Sequence, residues 1–301
     1  MPAIDLAGLV INKVNQLGPT KAADFFGVSL PTAIAWQKSK NMPSISAAQM
    51  VLNEFLTVTP PEIWNITGKR LLILSPIYRT YNGLTHATLF VNYAQYGPEK
   101  IGFLPKFRTL ISEARNMLVD MALRTDSEWF IFVDDDMVFP CGNGAMLRSI
   151  GCNLPEPNAS FNAISRIMSH PADKKIVAAL YFGRNESHKA QVANAFESPS
   201  QDARYHEILR TGGEHTLEEV RFAGMGMMRI HRSVFETMRE RADELFPQIK
   251  PVKSDRHYGY FNADTPDQGE DMIMCHRAKL CGIPTYLDPS LILGHVGDYI
   301  Y

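Results

Sequence analysis

Apolar residues recur along the chain first with helical spacing and then in short, strand-like runs. Near the N-terminus they lie three or four positions apart behind Asp5 as an N-cap, which predicts an amphipathic helix. Its apolar positions are Leu6, Leu9, Val10, Val14 and Leu17. Gly18 and Pro19 end that helix and open the next one. We therefore expect four short helices over residues 5–56.

From residue 70 onward, short apolar runs predict a sheet whose strands alternate with helices. The predicted strands cover residues 70–76, 129–133, 175–181, 220–230 and 282–288. The predicted helices cover residues 107–124, 145–150, 233–245 and 269–282. Residues 153–175 and 185–216 are polar and weakly periodic, and we predict that they are long loops. Two long loops on one domain usually form a functional rim or a lid.

The stretch 57–68 contains a proline pair and interrupts both periodicities, so we predict that it is a linker. It separates a small helical domain, residues 1–56, from an α/β domain, residues 69–301. A chain of 301 residues with 45% hydrophobic content is large enough for one sizeable core and a second, smaller one.

Three consecutive carboxylates follow the most apolar of the predicted strands. Trp129 to Val133 form that strand, and Asp134, Asp135 and Asp136 come where it leaves the sheet. Open α/β sheets bind their ligands at this place. Crowded carboxylates repel each other, and their hard oxygen atoms suit Mg²⁺ or Mn²⁺. A metal-bound diphosphate is the expected ligand, and a solvated acidic turn is the alternative.

Three further places before residue 230 carry candidate chemistry. Arg115 lies off the apolar stripe of its predicted helix, so it is either a solvated residue or a guanidinium that binds phosphate oxygens. The loop from Ser75 to Tyr78 follows the first strand, where α/β domains contact nucleotides. Gly224 and Gly226 lie in a predicted strand, where a ligand or a backbone approaches closely.

The last candidates lie near the C-terminal end of the sequence. Glu270 and Asp271 occupy the first turn of a predicted helix, and stabilisation of the helix dipole explains one of them. His295 lies between two glycines; a lone histidine is usually structural, and it gains weight only beside other candidates. The basic and aromatic run 253–261 is either an ordinary loop or a surface that stacks a base or a sugar.

Composition narrows the class of protein. A net charge of −2 argues against extensive nucleic-acid coating, although it permits a local basic patch. The four cysteines lack the spacing of a zinc site or a disulfide framework, which indicates reduced thiols; they are Cys141, Cys152, Cys275 and Cys281. No signal-peptide pattern or bilayer-spanning apolar stretch occurs. We therefore expect a cytoplasmic protein without a membrane partner, in the host cytoplasm if a phage encodes it.

Residues 23–43 resemble the helix-turn-helix of phage-type and Cro-like regulators. The resemblance rests on Ala23, on the run Gly27 to Ser29, and on Trp36. It implies that Ser29 caps a helix facing DNA, with these candidate DNA contacts: Lys21, Thr32, Gln37, Lys38 and Lys40. The helix departs from the pattern because Ile34 and Ala35 are apolar. DNA binding and docking on protein both stay open for this module.

Six short motifs in residues 69–301 resemble, in order, those of the GT-A nucleotide-sugar glycosyltransferases, closest to a phage-type branch. They are Ser75-Pro76, Ala114 to Asn116, Phe132 to Met137, Gly224 to Gly226, Gly269 to Asp271 and Gly294 to Gly297. The resemblance implies a Rossmann-like mixed α/β sheet of the GT-A type. It also implies transfer of a hexose from a nucleoside diphosphate sugar, with a uridine diphosphate sugar expected.

The same resemblance implies a role for each candidate residue. Asp136 and His295 would bind Mn²⁺ or Mg²⁺, with Asp134 as a further metal or ribose contact. Asp271, or else Glu270, would be the catalytic base of an inverting mechanism, while a retaining mechanism stays open. The donor would be held by these residues: Ser75, Pro76, Tyr78, Arg115, Asp134, Asp135, Gly224 and Gly226.

Fusion of a DNA-binding type of module to such a transferase predicts DNA as the acceptor. The expected acceptor group is the hydroxyl of a hydroxymethylated pyrimidine, which must be extruded from a duplex before it can react. Two alternatives stay open: a transferase acting on a glycan or a protein, and a DNA-binding regulator that senses a nucleotide sugar without turnover. The sequence leaves the oligomeric state undetermined.

Overall fold

The chain divides into two compact units, Met1–Trp64 and Asn65–Tyr301. The computed structural model describes residues 6–38, 40, 70–77, 82–97, 99–107, 109–149, 152–182, 195, 199–245, 258–263 and 269–296. The division between the units falls inside the stretch 57–68, where the sequence predicts a linker.

The described part of the first unit is a bundle of three short helices, α1 (Leu6–Leu17), α2 (Pro19–Phe26) and α3 (Leu30–Gln37). Their shared core consists of Val10, Val14, Ala22, Ala23, Phe26, Ala33 and Trp36. A three-residue turn joins α2 to α3; Gly27 adopts a left-handed conformation with φ 62°, and the Ser29 hydroxyl caps α3 by accepting the Thr32 N–H at 3.4 Å. The fourth predicted helix lies outside the described residues.

The second unit is built on a mixed α/β sheet. Its described strands are β1 (Leu71–Ile77), β2 (Ile101–Phe107), β3 (Trp129–Val133), β4 (Met137–Val138), β5 (Ile176–Leu180), β6 (Glu218–Val220), β7 (Met227–His231), β8 (Thr285–Ile292) and β9 (Gly294–His295). Seven of them form one sheet in the order β2-β1-β3-β7-β5-β8-β6, and β4 pairs with β9. β1 is parallel to β2 and β3, whereas β7 is antiparallel to both β3 and β5. This mixed sheet is compatible with a Rossmann-like fold; the GT-A assignment stays a prediction.

Helices flank the strands of this sheet. They are α4 (Gly83–Tyr96), α5 (Ile111–Leu123), α6 (Gly144–Ser149), α7 (Ala163–Met168), α8 (Pro199–Thr211), α9 (Arg232–Glu240), α10 (Ala242–Leu245) and α11 (Glu270–Leu280). A short 3-10 helix covers Asn158–Ser160. α5 packs against β1 and β2 through an apolar face that includes Ala114, Leu118 and Ala122. Across the described ranges, none of the helices combines the length and apolar character that a bilayer crossing needs.

β3 is buried on both faces of the sheet. Phe130 and Phe132 join one apolar cluster, while Trp129, Ile131 and Val133 join the other. Successive side chains of a strand point to opposite faces, so a strand covered on both sides needs an uninterrupted apolar run. The predicted strand 129–133 is therefore confirmed, together with the reason for its composition.

The helix α4 and the strand β2 were not predicted, and one helix was predicted to begin too early. α4 buries Thr85, Thr88 and Asn92, so its inward face lacks the apolar stripe by which helices are found. β2 lies at the edge of the described sheet and pairs with β1. It contains Pro105, and a proline argues against a strand in a sequence although an edge strand tolerates it. Its last residue, Phe107, pairs with Ile77, so the predicted helix 107–124 begins only at Ile111 in the structure.

Both predicted loops contain helices, and one predicted strand is divided. α7 lies within 153–175, where Asn162 caps it by accepting the Ser165 N–H at 2.7 Å. α8 lies within 185–216; only Tyr205, Ile208 and Leu209 of this polar helix are buried, too few to produce a clear period. The predicted strand 220–230 consists of the end of β6, a non-strand segment 221–226, and most of β7.

The C-terminal ends of β1 and β3 lie at the same edge of the sheet because the two strands are parallel. β1 lies between β2 and β3, so the chain leaves β1 toward one side and reaches β3 on the other. Such a reversal of strand order opens a crevice outside the strand ends. β9 meets β4 at this edge, where the Val296 N–H donates to the Asp136 carbonyl at 2.7 Å.

Candidate active site

Carboxylates from two distant parts of the chain converge on Arg115, at the edge where β3 ends. Arg115 projects from α5, and its side chain is 1% exposed. Its Nη2 donates to Asp134 Oδ1 at 2.8 Å, and its Nη1 donates to Glu270 Oε1 at 2.7 Å. The expectation of a solvated arginine is therefore wrong. Both terminal nitrogens donate to protein carboxylates. Donor binding by Arg115 therefore stays a prediction, and it requires a donor phosphate to share these nitrogens with a carboxylate or to displace one.

Negative charge exceeds positive charge around this arginine. Burial raises the pKa of Asp134 to about 6; the Arg115 guanidinium lowers that pKa, and the nearby Asp136 carboxylate raises it. Burial also raises the pKa of Asp271, which the neighbouring Glu270 carboxylate raises further against the lowering effect of Arg115. Three carboxylates, those of Asp134, Glu270 and Asp271, thus interact with one guanidinium, and the Asp136 carboxylate lies near Asp134. We will call Asp134, Asp136, Glu270, Asp271 and Arg115 the acidic edge.

Asp136 lies beside His295 because β4 pairs with β9. His295 Nε2 is 3.4 Å from Asp136 Oδ2, and His295 Nδ1 is 2.8 Å from the Phe182 carbonyl oxygen. A carbonyl oxygen only accepts hydrogen bonds, so we assign the proton to Nδ1. In the neutral ring, Nε2 then presents a lone pair toward a carboxylate. A proton or a cation between the two atoms would relieve the resulting repulsion.

The predicted three-residue metal set is not assembled. Within the described ranges, no group of three or more His, Cys, Asp or Glu side chains is close enough to hold a metal ion. Asp134 is directed to Arg115 instead, which leaves Asp136 and His295 as an adjacent pair. Such a pair fits a divalent ion that takes its remaining ligands from phosphate oxygens and water, as Mg²⁺ commonly does. A backbone carbonyl on the other nitrogen of a ligating histidine is also typical.

The candidates on the first strand lie at this edge, but they are largely internal. The Ser75 hydroxyl is fully buried and donates to the Val133 carbonyl at 2.8 Å, so it ties β1 to β3. Pro76 is buried within β1. The Asp135 carbonyl accepts the Asn82 N–H at 3.1 Å, which ties the acidic turn to the start of α4. Tyr78 lies outside the described residues, and its donor contact stays a prediction.

The glycines predicted to line the sugar site lie between β6 and β7 and not in a strand. Gly224 is buried. The Gly226 N–H donates to the Tyr181 hydroxyl at 2.9 Å, and its carbonyl accepts the Asp134 N–H at 3.2 Å. A Cβ at Gly226 would lie 2.8 Å from the Tyr181 ring, so no side chain fits there. The close approach inferred from the glycine is made by Tyr181, which sequence analysis did not single out.

Glu270 and Asp271 differ in what they contact. Glu270 is bound to Arg115, whereas Asp271 Oδ1 accepts the Met272 N–H at 2.8 Å in the first turn of α11. Both side chains are partly exposed at the edge. The helix dipole acts on both carboxylates. Arg115 donates a hydrogen bond to Glu270, whereas it acts on Asp271 through its charge, which lowers the pKa of that carboxyl.

Part of the basic and aromatic run 253–261 is core. Tyr260 and Phe261 are buried, and the Phe261 ring centroid lies 5.6 Å from that of Phe132. The Phe261 N–H donates to Asn116 Oδ1 at 3.0 Å, and Arg277 donates to the Tyr260 carbonyl at 3.0 Å. Base or sugar stacking by Tyr260 and Phe261 is therefore wrong; residues 251–257 lie outside the described ranges.

The candidate DNA contacts of the first unit are accessible to different extents. Lys21, Lys38 and Lys40 are exposed, whereas Thr32 and Gln37 are half-buried. The Thr32 hydroxyl is 2.8 Å from the Ser29 hydroxyl, so it takes part in the helix cap. Use of the α2–turn–α3 segment as a DNA-binding helix-turn-helix stays a prediction.

No protein-family model and no curated protein sequence matches the chain. Among 34 matching chains of solved structures is the crystal structure of A197 from STIV. It has 17% sequence identity and a TM-score of 0.41, and the match covers 76% of this chain and 86% of that chain. This is a distant structural resemblance.

Proposed function

We propose that the second unit is a metal-dependent glycosyltransferase that uses a nucleoside diphosphate sugar. The observation that supports this most directly is the acidic edge itself: several carboxylates share one buried arginine beside the Asp136–His295 pair. This surplus of negative charge lies where β1 and β3 end, at the reversal of strand order. A divalent cation with a diphosphate is a ligand that matches both the charge and the place.

Cleavage of a glycosyl–phosphate bond requires stabilisation of the leaving diphosphate. Mn²⁺ or Mg²⁺ bound between Asp136 and His295 would supply that stabilisation as a Lewis acid. Arg115 holds Asp134 and Glu270 at fixed positions around the site, because each carboxylate accepts one charge-assisted hydrogen bond from the same buried guanidinium. The nucleotide would then lie beside Asp135 and the C-terminal end of β1.

Deprotonation of the acceptor hydroxyl needs a carboxylate that is not already committed. Glu270 is engaged by Arg115, so we assign the role of base to Asp271. Its pKa is raised by burial, and a base whose pKa is closer to neutrality accepts a proton more effectively. This assignment corresponds to an inverting mechanism, in which the acceptor oxygen attacks directly as Asp271 takes its proton.

DNA carrying a hydroxymethylated pyrimidine is the acceptor that we propose. The first unit supports this choice, since it exposes three lysines on a helical module with a three-residue turn between α2 and α3. Phosphate contacts by lysine are largely independent of sequence. The apolar Ile34 and Ala35 leave little for base readout, so we expect weak sequence preference.

The acceptor is tested by mass analysis of DNA after incubation with the full chain, Mn²⁺ and uridine diphosphate sugars. Duplex and single-stranded DNA with hydroxymethylpyrimidine are compared with unmodified DNA. We expect a mass increase of one sugar residue per modified base only in the hydroxymethylated samples. Donor hydrolysis without DNA modification would favour a glycan or protein acceptor. Donor binding without any turnover would instead favour the sensing regulator.

The role of the first unit is tested by replacing Lys21, Lys38 and Lys40 together with alanine. These side chains are exposed, so the fold should be kept. In a plot of the logarithm of the binding constant against the logarithm of the salt concentration, the slope should become less steep by about one for each lysine replaced. Transfer to the free hydroxymethyl nucleoside serves as the internal control and should be unchanged. Equal binding of long DNA by both proteins at every salt concentration would make the module a docking element.

A further inference from the structure

We infer that Tyr181 is a positioning residue that fixes both parts of the acidic edge. The inference rests on the proposed function, because it assigns a role at the same site. Tyr181 follows directly after β5, and its side chain is buried between the segment 224–226 and the end of β9. No motif drew attention to it, since an aromatic residue after a buried strand is most often core.

The hydroxyl of Tyr181 holds Asp134 through Gly226. It accepts the Gly226 N–H at 2.9 Å, and the Gly226 carbonyl accepts the Asp134 N–H at 3.2 Å. Asp134 in turn accepts from Arg115, which also binds Glu270. A continuous series of hydrogen bonds therefore runs from the tyrosine to the start of α11, where Asp271 lies.

The ring of Tyr181 holds the other part of the edge. It packs edge-on against the His295 ring with a centroid distance of 5.7 Å and an interplanar angle of 88°. The next residue, Phe182, accepts from His295 Nδ1 at 2.8 Å, so residues 181 and 182 together fix the orientation of the imidazole. Neither contact requires the tyrosine hydroxyl.

The two contacts can thus be separated by a single substitution. Tyr181→Phe keeps the ring that packs on His295 and removes the acceptor of the Gly226 N–H. A buried N–H without its partner is unfavourable, so segment 224–226 should shift and carry the Asp134 backbone with it. Asp136 and His295 would stay in place, which predicts that donor binding survives while the alignment for transfer is lost.

The experiment compares Tyr181→Phe with Tyr205→Phe in the full chain. Tyr205 on α8 is another buried tyrosine, and its hydroxyl donates to Glu218 on β6 at 3.0 Å and not to a residue of the acidic edge. We expect Tyr181→Phe to lower kcat by about ten- to a hundredfold, since misplacement by about 1 Å costs that much. The donor KM should change less than kcat, within about twofold, because Asp136 and His295, the proposed metal–diphosphate pair, keep their places. Tyr205→Phe should leave both constants unchanged.

Hydrogen exchange of the peptide that spans residues 222–228 tests the contact without relying on activity. The exchange should be faster in Tyr181→Phe than in the wild type, and unchanged in Tyr205→Phe. Unchanged exchange, or a kcat equal to that of the wild type, would overturn the role of Tyr181. If the wild type shows no transfer but exchange is still faster in Tyr181→Phe, the contact is supported and the proposed function is contradicted. The two failures are therefore distinguishable.

Discussion

The second unit contains two arginine–carboxylate clusters in which the pKa of the aspartate is shifted in opposite directions. At the first, Asp288 on β8 is fully buried and is paired with Arg166 Nε at 2.7 Å and with His170 Nε2 at 2.8 Å. Burial raises the pKa of Asp288, but the hydrogen bonds from His170 and Arg166 outweigh it and hold the pKa below its usual value. At the acidic edge, burial and neighbouring carboxylates raise the pKa of Asp134 to about 6 even though Arg115 is in contact.

The difference lies in the balance of charge and in the place of each cluster. Asp288 lies within a strand, beside Ala179 of β5, and its partners come from α7 and the residues after it. Asp134 lies just beyond a strand end, and one arginine serves it and Glu270 together. Asp288 accepts hydrogen bonds from two side chains, and Arg166 also pairs with the more exposed Glu214 at 3.3 Å. A carboxylate whose pKa stays raised at a ligand crevice is a candidate functional group, which supports the proposed cation site.

The largest difference between the clusters should appear in catalysis. Asp271→Asn removes the proposed base and keeps the size of the side chain, so transfer should fall by about two to four orders of magnitude. Donor binding measured by calorimetry should stay near the wild-type value. Asp288→Asn provides the contrast, since any loss of transfer there should follow the fraction of unfolded protein. Near-normal transfer by Asp271→Asn would move the base to Glu270 or indicate a retaining mechanism.

The opposite ranking is expected for stability. Asp288→Asn removes the charge of a fully buried carboxylate that accepts from Arg166 and His170, and it leaves Arg166 paired with the more exposed Glu214, so it should cost about 3 kcal/mol in the free energy of unfolding. Asp134→Asn keeps an oxygen for Arg115 and relieves repulsion from Asp136, so it should cost less than about 1 kcal/mol. Urea denaturation of both variants without added metal measures the difference. A larger loss for Asp134→Asn would contradict the assignment of the two clusters.

The smallest effect concerns pH. The lowered pKa of Asp288 means that its ionised form contributes stability above pH 3.8, the usual value, and loses it as the pH falls through the lowered pKa. The stability deficit of Asp288→Asn should therefore be constant from about pH 5 to 7 and shrink below about pH 4. The total decrease should be about 1.4 kcal/mol for each pH unit by which the folded pKa of Asp288 lies below the unfolded one. Denaturation curves of the variant and the wild type at each pH check this. A deficit that does not change down to the acid transition would argue against ion pairing at Asp288.

The sequence predicted where the candidate residues lie in the sheet, but it did not predict the contacts between them. The uninterrupted apolar run Trp129 to Val133 predicted a strand buried on both faces, so the carboxylates after it were expected at a strand end. The partners of Arg115 could not be foreseen, because Asp134 is 19 residues away along the chain and Glu270 is 155 residues away. Such long-range pairing leaves no periodic signal. Tyr181 was missed for the same reason, since its role depends on a glycine 45 residues further on.

The most direct measurement is calorimetric titration of the full chain with a uridine diphosphate sugar, with and without Mn²⁺. We predict that the wild type binds the donor only with the divalent ion, since diphosphate would otherwise face uncompensated carboxylates. Asp136→Ala should weaken metal-dependent binding by about a hundredfold, whereas Asp173→Ala, which removes a carboxylate that is 70% exposed, should bind normally. Donor binding of equal affinity without metal, or in Asp136→Ala, would contradict the assignment of the acidic edge as a metal–diphosphate site.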